Sequence, residues 1–206
     1  MEYSDYHLTG SLAGLTNTVV TATCNTGYSN NGAGTTDFTC TASGIFEGAP
    51  CTVNACTSTT VPNSNAAADE SVAGVTGDIV QVACDEGYSG GGAFVCSAQL
   101  GEFEGTTCTA NSCLSTQVAN SNFAETDSIA GVTAEVVAVQ CNDGFSGSGD
   151  AICGTDGMFT TVECSPNPCT PAEVQFSDRA STGSLLGAMN DVVVVVCDEG
   201  ESLYMA

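Results

Sequence analysis

Residues 71–89 read SVAGVTGDIVQVACDEGYS, and versions of this stretch occur three more times in the chain. Aligned without gaps up to the cysteine, the four copies are SLAGLTNTVVTATC (11–24), SVAGVTGDIVQVAC (71–84), SIAGVTAEVVAVQC (128–141) and SLLGAMNDVVVVVC (184–197). The residues before each cysteine are β-branched and alternate, which predicts a strand. The glycine-rich segments that follow, such as GYSGGG and GFSGSG, predict turns. No helical pattern of useful length appears, so we expect an all-β fold.

The cysteines follow the same period as these copies. An interval of 28 residues separates two cysteines three times, from Cys56 to Cys84, from Cys113 to Cys141 and from Cys169 to Cys197. Four residues separate neighbouring units, and the unit length is 57 and then 56 residues. A fixed period of this size predicts a tandem array. Its units are residues 1–51, 56–108, 113–164 and 169–206, with the first part of the first unit and the second half of the last unit missing.

Units of this size need cross-links. A module of about 57 residues buries little apolar surface, and each disulfide that closes a long loop adds roughly 2–4 kcal/mol of stability. Thirteen cysteines in 206 residues indicate an oxidising, extracellular location. The start MEYSDYHLTG has neither a basic nor an apolar leader segment. We expect any leader or anchor to lie outside these residues, and no apolar window of about twenty residues predicts a membrane span.

The charge balance excludes several partners. The chain has 24 acidic residues, one arginine (Arg179) and no lysine, for a formal net charge of −23. Nucleic acids and anionic membranes need clustered Lys and Arg, so neither is an expected partner. A surface of acids and hydroxyls suits saline or calcium-containing water, which screens self-repulsion.

The pattern of cysteines and aromatic residues resembles the sushi family, also called complement control protein modules. Each complete unit has four cysteines, and the first three units have a Gly-Tyr or Gly-Phe after the second cysteine and a Gly-x-Phe between the third and the fourth. The family usually has Trp before its fourth cysteine, where this chain has Phe46, Phe103 and Phe159. The first unit also has a longer loop, SNNGAGTTDF. The resemblance implies small β modules that act as spacers or binding modules and carry no catalysis of their own.

The resemblance also implies a disulfide pattern. In that family the first cysteine bonds the third and the second bonds the fourth, which implies Cys24–Cys51, Cys56–Cys96, Cys84–Cys108, Cys113–Cys153 and Cys141–Cys164. Spacing alone leaves three connectivities open per unit. Cys40, Cys169 and Cys197 then have no partner within the chain. We expect their partners in further repeats of a longer chain. The alternative is end-to-end assembly, in which Cys169 of one copy bonds Cys40 of the next and Cys197 stays unpaired.

Candidate sites for chemistry are few. His7 is the single histidine and Arg179 the single strong cation, and both are interpreted as ordinary surface residues rather than a catalytic base and a carboxylate clamp. Acidic residues follow the second cysteine in three units and are weak calcium candidates: Asp85, Glu86, Asp143, Asp198 and Glu199. Calcium needs six to eight converging oxygens, whereas adjacent strand residues point to opposite faces. We therefore interpret these acids as solvated surface and expect no cofactor.

Two sets of aromatic residues recur at fixed positions. We predict that Phe46, Phe103 and Phe159 fill the core, and that Tyr28, Tyr88 and Phe145 are partly exposed core. A stripe of ligand-binding aromatics is the alternative. Clusters of Ser and Thr, such as CTSTTVP from Cys56, are candidates for O-linked sugars, and the chain has no Asn-x-Ser/Thr sequon.

These features favour a structural role. Units joined by four residues cannot swing freely, so we expect a stiff, elongated array that builds a cell-surface filament, a flagellar hair or a matrix fibre. Its partners would be neighbouring repeats or other copies of the same chain. The alternative is an adhesion or receptor-type module that recognises a protein or a glycan. The sequence holds no minimum set of residues for an enzyme.

Overall fold

The fold is all-β, as the sequence predicts. The computed structural model describes residues 1–200, and residues 201–206 of the predicted last repeat lie outside the described residues. Residues 1–200 contain strands, bridges and turns and no helix. The chain divides into two compact units, residues 1–109 and residues 110–206. Two of the predicted repeats lie in each unit.

The first unit contains eight short strands. They are β1 (Val19–Thr23), β2 (Tyr28–Ser29), β3 (Thr35–Cys40), β4 (Phe46–Glu47), β5 (Thr52–Val53), β6 (Ile79–Val82), β7 (Tyr88–Cys96) and β8 (Phe103–Ala110), whose last residue reaches the unit boundary. The sheets have the orders β1-β3-β4, β2-β5 and β6-β7-β8. In both three-stranded sheets, the strand before the second cysteine pairs antiparallel with the strand that ends at the third cysteine.

The second unit repeats this pairing in its first half. Its strands are β9 (Val136–Val139), β10 (Phe145–Ser146), β11 (Gly149–Ile152) and β12 (Ser165–Pro166). β9 pairs antiparallel with β11, and β10 pairs with β12. Residues 167–200 form no strand, although they make isolated bridges, including the bridge between Ser177 and Cys197. The valine-rich stretch 192–196 is thus a predicted strand that stays unpaired among the described residues.

Five disulfides cross-link the chain. They join Cys24 to Cys51, Cys56 to Cys96, Cys84 to Cys108, Cys113 to Cys153 and Cys141 to Cys164, the same pairs that the resemblance implies. Three cysteines are free: Cys40 is buried, Cys169 is exposed and Cys197 is half-buried. The two complete repeats, 56–108 and 113–164, each contain two interleaved disulfides.

Each complete repeat has its own small apolar core. In residues 56–108 the core contains Val61, Ala66, Val72, Val82 and Phe94. In residues 113–164 it contains Val118, Ile129, Val139 and Ala151. Phe103 and Phe159 are half-buried and pack against these clusters. Phe46 is also half-buried. The most deeply buried rings are instead Phe38 and Phe94, on the strands that end at the third cysteine, and the sequence analysis did not single them out.

The two complete repeats exchange a large and a small side chain at the same pair of positions. Ala66 and Phe94 occupy these positions in the first of them, and Phe123 and Ala151 occupy them 57 residues later. The benzyl side chain therefore comes from the strand that ends at the third cysteine in the first of these repeats and from a turn in the second. Volume-conserving exchanges of this kind keep a core packed. They explain how both repeats fill a core at the same positions with different residues.

A buried serine sits at the same position of each repeat. Ser64 Oγ donates a hydrogen bond to the carbonyl of Val61 at 2.6 Å and accepts one from the amide of Ala66 at 3.0 Å. The next residue, Asn65, accepts a hydrogen bond from the amide of Ala83 at 2.9 Å. These bonds fasten the turn to the strand before the second cysteine. The same serine bonds occur at Ser4, Ser121 and Ser177.

The exchange of Ala66 and Phe94 for Phe123 and Ala151 predicts a rescue. We expect Phe94→Ala to lower the free energy of unfolding by about 3–5 kcal/mol, because a buried ring is removed. Adding Ala66→Phe should restore about 1–3 kcal/mol by refilling the cavity from the turn position. Urea unfolding with the disulfides intact measures both changes.

The matched control for this rescue is Ala73→Phe in the Phe94→Ala background, because Ala73 is exposed. A ring placed there cannot reach the cavity, so no stability should return. If Ala66→Phe restores no more than Ala73→Phe does, the two positions do not share one core space and the proposed exchange is wrong.

Candidate functional site

The joints between repeats share an asparagine that the sequence analysis did not use. The four residues between adjacent cysteines are TVNA, TANS and SPNP, and the third of them is asparagine each time. The three residues are Asn54, Asn111 and Asn167. The recurrence of asparagine can be seen in the sequence. Its structural role depends on backbone hydrogen bonds, which a pattern of side chains does not predict.

In the first joint, Asn54 connects the repeat before it to the repeat after it. Its amide donates a hydrogen bond to the carbonyl of Gly27 at 2.9 Å, and its carbonyl accepts one from the amide of Thr76 at 2.9 Å. The Thr76 hydroxyl also lies 2.9 Å from the Gly27 carbonyl oxygen and 3.3 Å from that of Asn54. The Ser29 hydroxyl donates to the Asn54 side-chain oxygen at 2.5 Å. Residues of both repeats thus hold the linker.

The joint around Asn167 has the same backbone pattern. The Asn167 amide donates to the Gly144 carbonyl at 2.8 Å, and the Met189 amide donates to the Asn167 carbonyl at 2.9 Å. At the middle position, Thr133 donates its amide to the Asn111 carbonyl at 2.9 Å, and its hydroxyl lies 3.2 Å from the same oxygen. Threonine adds a hydroxyl bond where methionine adds apolar contact.

The glycine after the second cysteine lets the next repeat approach closely. Gly27 has φ +86°, and a Cβ built on it would lie 2.5 Å from Cγ2 of Thr76 and 2.8 Å from Cβ of Ala98. A Cβ on Gly144 would lie 3.0 Å from Met189 side-chain atoms. At Gly27 a Cβ would overlap the next repeat, because the Cβ of Ala98 is fixed to the backbone, whereas at Gly144 the flexible Met189 side chain could move aside. Gly27 and Gly144, which belong to the Gly-Tyr and Gly-Phe pairs that support the family resemblance, therefore lie at the contact with the next repeat.

The weak calcium candidates lie on the surface. All five of these acidic residues are exposed: Asp85, Glu86, Asp143, Asp198 and Glu199. Among residues 1–200 the structure brings together no group of three His, Cys, Asp or Glu side chains that could hold a metal ion. Calcium needs several converging oxygens, and these acids do not supply them by themselves.

The two other singled-out residues make local contacts. His7 is exposed, and its Nδ1 lies 3.2 Å from the carbonyl oxygen of Ser4. Arg179 Nε lies 3.7 Å from a carboxylate oxygen of Asp178, which is an ion pair rather than a hydrogen bond. Both side chains of that pair are more than two-fifths exposed, so the pair contributes little to stability.

The aromatic residues that follow the second cysteine are half-buried, and one of them is stacked. The rings of Tyr3 and Tyr28 lie 4.2 Å apart at an interplanar angle of 7°. The nearby negative charge of Glu2 raises the pKa of Tyr3, and Tyr28 raises it further. Tyr88 and Phe145 are half-buried at the same position of the next two repeats.

Comparison with other proteins does not assign the chain to a family. No protein-family model matches it, and no curated protein sequence matches it. Over residues 1–200 there is also no helix long and apolar enough to cross a lipid bilayer.

The close approach at Gly27 predicts a specific loss on substitution. We expect Gly27→Ala to lower the free energy of unfolding by about 1–3 kcal/mol more than Gly77→Ala does, because its new Cβ overlaps the next repeat. Gly77 has φ +87° and open space around a built Cβ, so both variants carry the same backbone strain. Amide hydrogen exchange at Asn54 and Thr76 should accelerate in Gly27→Ala alone. Equal losses of stability and unchanged exchange at both amides would show that the joint is not closely packed.

Proposed function

We propose that the chain is an extracellular structural repeat protein, and that it forms a stiff segment of a cell-surface filament, a flagellar hair or a matrix fibre. Disulfides are typical of secreted proteins, and five of them cross-link this chain. The proposed role is mechanical: each repeat holds the next one in a fixed position along the chain. The surface of the repeats contacts other copies of the chain or neighbouring repeats.

The hydrogen-bonded joint is the observation that carries this proposal. A linker of four unbonded residues would let two modules pivot. Here the amide and the carbonyl of Asn54 are both bonded, one to each repeat, and Thr76 adds a side-chain bond across the same joint. The disulfides of Cys51 and Cys56 fix the two ends of the linker. Pivoting would break these bonds together, so stiffness is the expected mechanical property.

The surface chemistry supports a role outside the cell in a salty medium. The net charge of −23 comes from 24 acids against a single arginine, so copies of the chain repel one another at low ionic strength. The Debye length shrinks to about 8 Å at physiological salt, which removes most of that repulsion. Lateral association of several chains into a fibre would therefore depend on salt or on divalent ions.

Immunogold electron microscopy of native material tests the role. Antibodies against residues 1–200 should label negatively stained fibres at many positions along their length, because a building block recurs throughout a fibre. Labelling confined to isolated stalks or to a diffuse surface coat would contradict the structural role and favour the adhesion module. Antibodies preincubated with the purified 206-residue chain are the control, and they should label nothing.

A further inference from the structure

Two tyrosine rings lie face to face in the first repeat. The ring centroids of Tyr3 and Tyr28 are 4.2 Å apart, and the ring planes differ by only 7°. Aromatic pairs in proteins usually have centroid distances of about 4.5–7 Å, so this stack is close. Tyr3 is 39% exposed and Tyr28 is half-buried. The pair is therefore tightly stacked and can be reached from solvent.

Backbone hydrogen bonds hold the two tyrosines beside each other. The amide of Asn25 donates to the carbonyl of Tyr3 at 2.8 Å, and the amide of Tyr28 donates to the carbonyl of Asn25 at 3.0 Å. Tyr28 also lies on β2, which pairs antiparallel with β5. The residue after Tyr3 is Ser4, which is buried and forms a bridge to Cys24. The fold of the repeat therefore brings the rings together.

The other repeats have the same backbone arrangement without a second phenol. In the two complete repeats, Asn63 and Asn120 take the position of Tyr3, and their carbonyls accept the equivalent hydrogen bond at 2.9 and 2.8 Å. The φ angles of Tyr3, Asn63 and Asn120 are +61°, +57° and +58°. Asparagine adopts this left-handed conformation more readily than a bulky residue does. Phe176 takes the position in the last repeat and has no hydroxyl group. The backbone does not require tyrosine here, so the paired phenols are specific to the first repeat.

We propose that Tyr3 and Tyr28 form a site of oxidative cross-linking, at which a haem peroxidase and hydrogen peroxide join the two rings of one chain by a carbon–carbon bond. The unpaired electron of a tyrosyl radical occupies the π system, which lies on the faces of the ring. Parallel rings at 4.2 Å place these faces against each other, which is the approach that bond formation needs. Reactants held in this way combine faster than freely diffusing ones. The inference goes beyond the proposed structural role and does not depend on it.

The reaction balances with one molecule of hydrogen peroxide. Each phenol loses one electron and its hydroxyl proton, and the two radicals form one bond between ring carbons ortho to the oxygens. The hydrogens on those two carbons then move to the oxygens, which restores both phenols as dityrosine. Hydrogen peroxide accepts the two electrons and the two protons and becomes two molecules of water.

The charge of the chain favours coupling within one copy over coupling between copies. At a formal net charge of −23, two copies repel each other at low ionic strength, whereas Tyr3 and Tyr28 are already in contact. The new bond closes the loop between these residues, which contains Cys24 of the Cys24–Cys51 disulfide. Unlike that disulfide, a carbon–carbon bond is not broken by thiol reductants.

Oxidation of the full 206-residue chain tests the site. The protein is treated at low ionic strength with a haem peroxidase and limiting hydrogen peroxide. It is then reduced, alkylated and digested with a protease that cleaves before aspartate. Cleavage before Asp5 and Asp37 separates the two tyrosines. The expected product in mass spectrometry is peptide 1–4 joined to peptide 5–36, with the loss of two hydrogens.

Fragment spectra of this product should place the bond at Tyr28 and not at Tyr6, which lies on the same peptide. Three results would overturn the proposal: a bond at Tyr6, covalent dimers as the main product, or no dityrosine at all.

Matched variants separate the stacked pair from general tyrosine oxidation. Tyr28→Phe keeps the ring but removes its hydroxyl group, so the yield of dityrosine in the monomer should fall at least tenfold. Tyr88→Phe changes the same position of the next repeat, where Asn63 replaces Tyr3, and should alter the yield less than twofold. Mapping the Cys24–Cys51 disulfide before oxidation shows that the first repeat of each variant is folded. Equal yields from the two variants would contradict the proposal.

Discussion

Interleaved disulfides are the constraint on which the rest of this structure depends. In residues 56–108 one bond spans 40 residues and the other spans 24, and between them lies a core cluster of five buried side chains. Such a core is too small to offset the conformational entropy of the chain by itself. Each disulfide restricts the unfolded chain and adds roughly 2–4 kcal/mol. The short strands then need to supply register and hydrogen bonding rather than most of the stability.

The same disulfides also restrain the joints between repeats. The four linker residues lie between two disulfide-bonded cysteines, Cys51 and Cys56. The backbone directions on both sides of Asn54 are therefore restrained. Under that restraint a few hydrogen bonds and one close glycine contact are enough to hold two repeats together.

Much of the fold was predictable because the cysteines and the β-branched stretches recur at a fixed period in the sequence. The β-branched stretch before the second cysteine predicts β6 and β9, and the family resemblance implies the five disulfides. The buried serines were not found, because Ser64 and Ser121 look like ordinary turn residues until their bonds to Val61 and Val118 are seen. The core was only partly predicted: the phenylalanines that recur at a fixed position are half-buried, whereas Phe94 is buried and has alanine at its counterpart, Ala151. A side chain supplied from either of two positions leaves no fixed pattern in the sequence.

Calorimetry with and without a thiol reductant tests most directly whether disulfides hold these small cores. Reduction removes two bonds from each complete repeat, a loss of about 4 kcal/mol or more per repeat. For domains of this size, each kcal/mol shifts the melting temperature by about 4–8 °C. The account predicts that the melting temperature falls by about 20 °C or more, or that the transition disappears. A shift of less than a few degrees, with the thiols shown to be reduced, would contradict it.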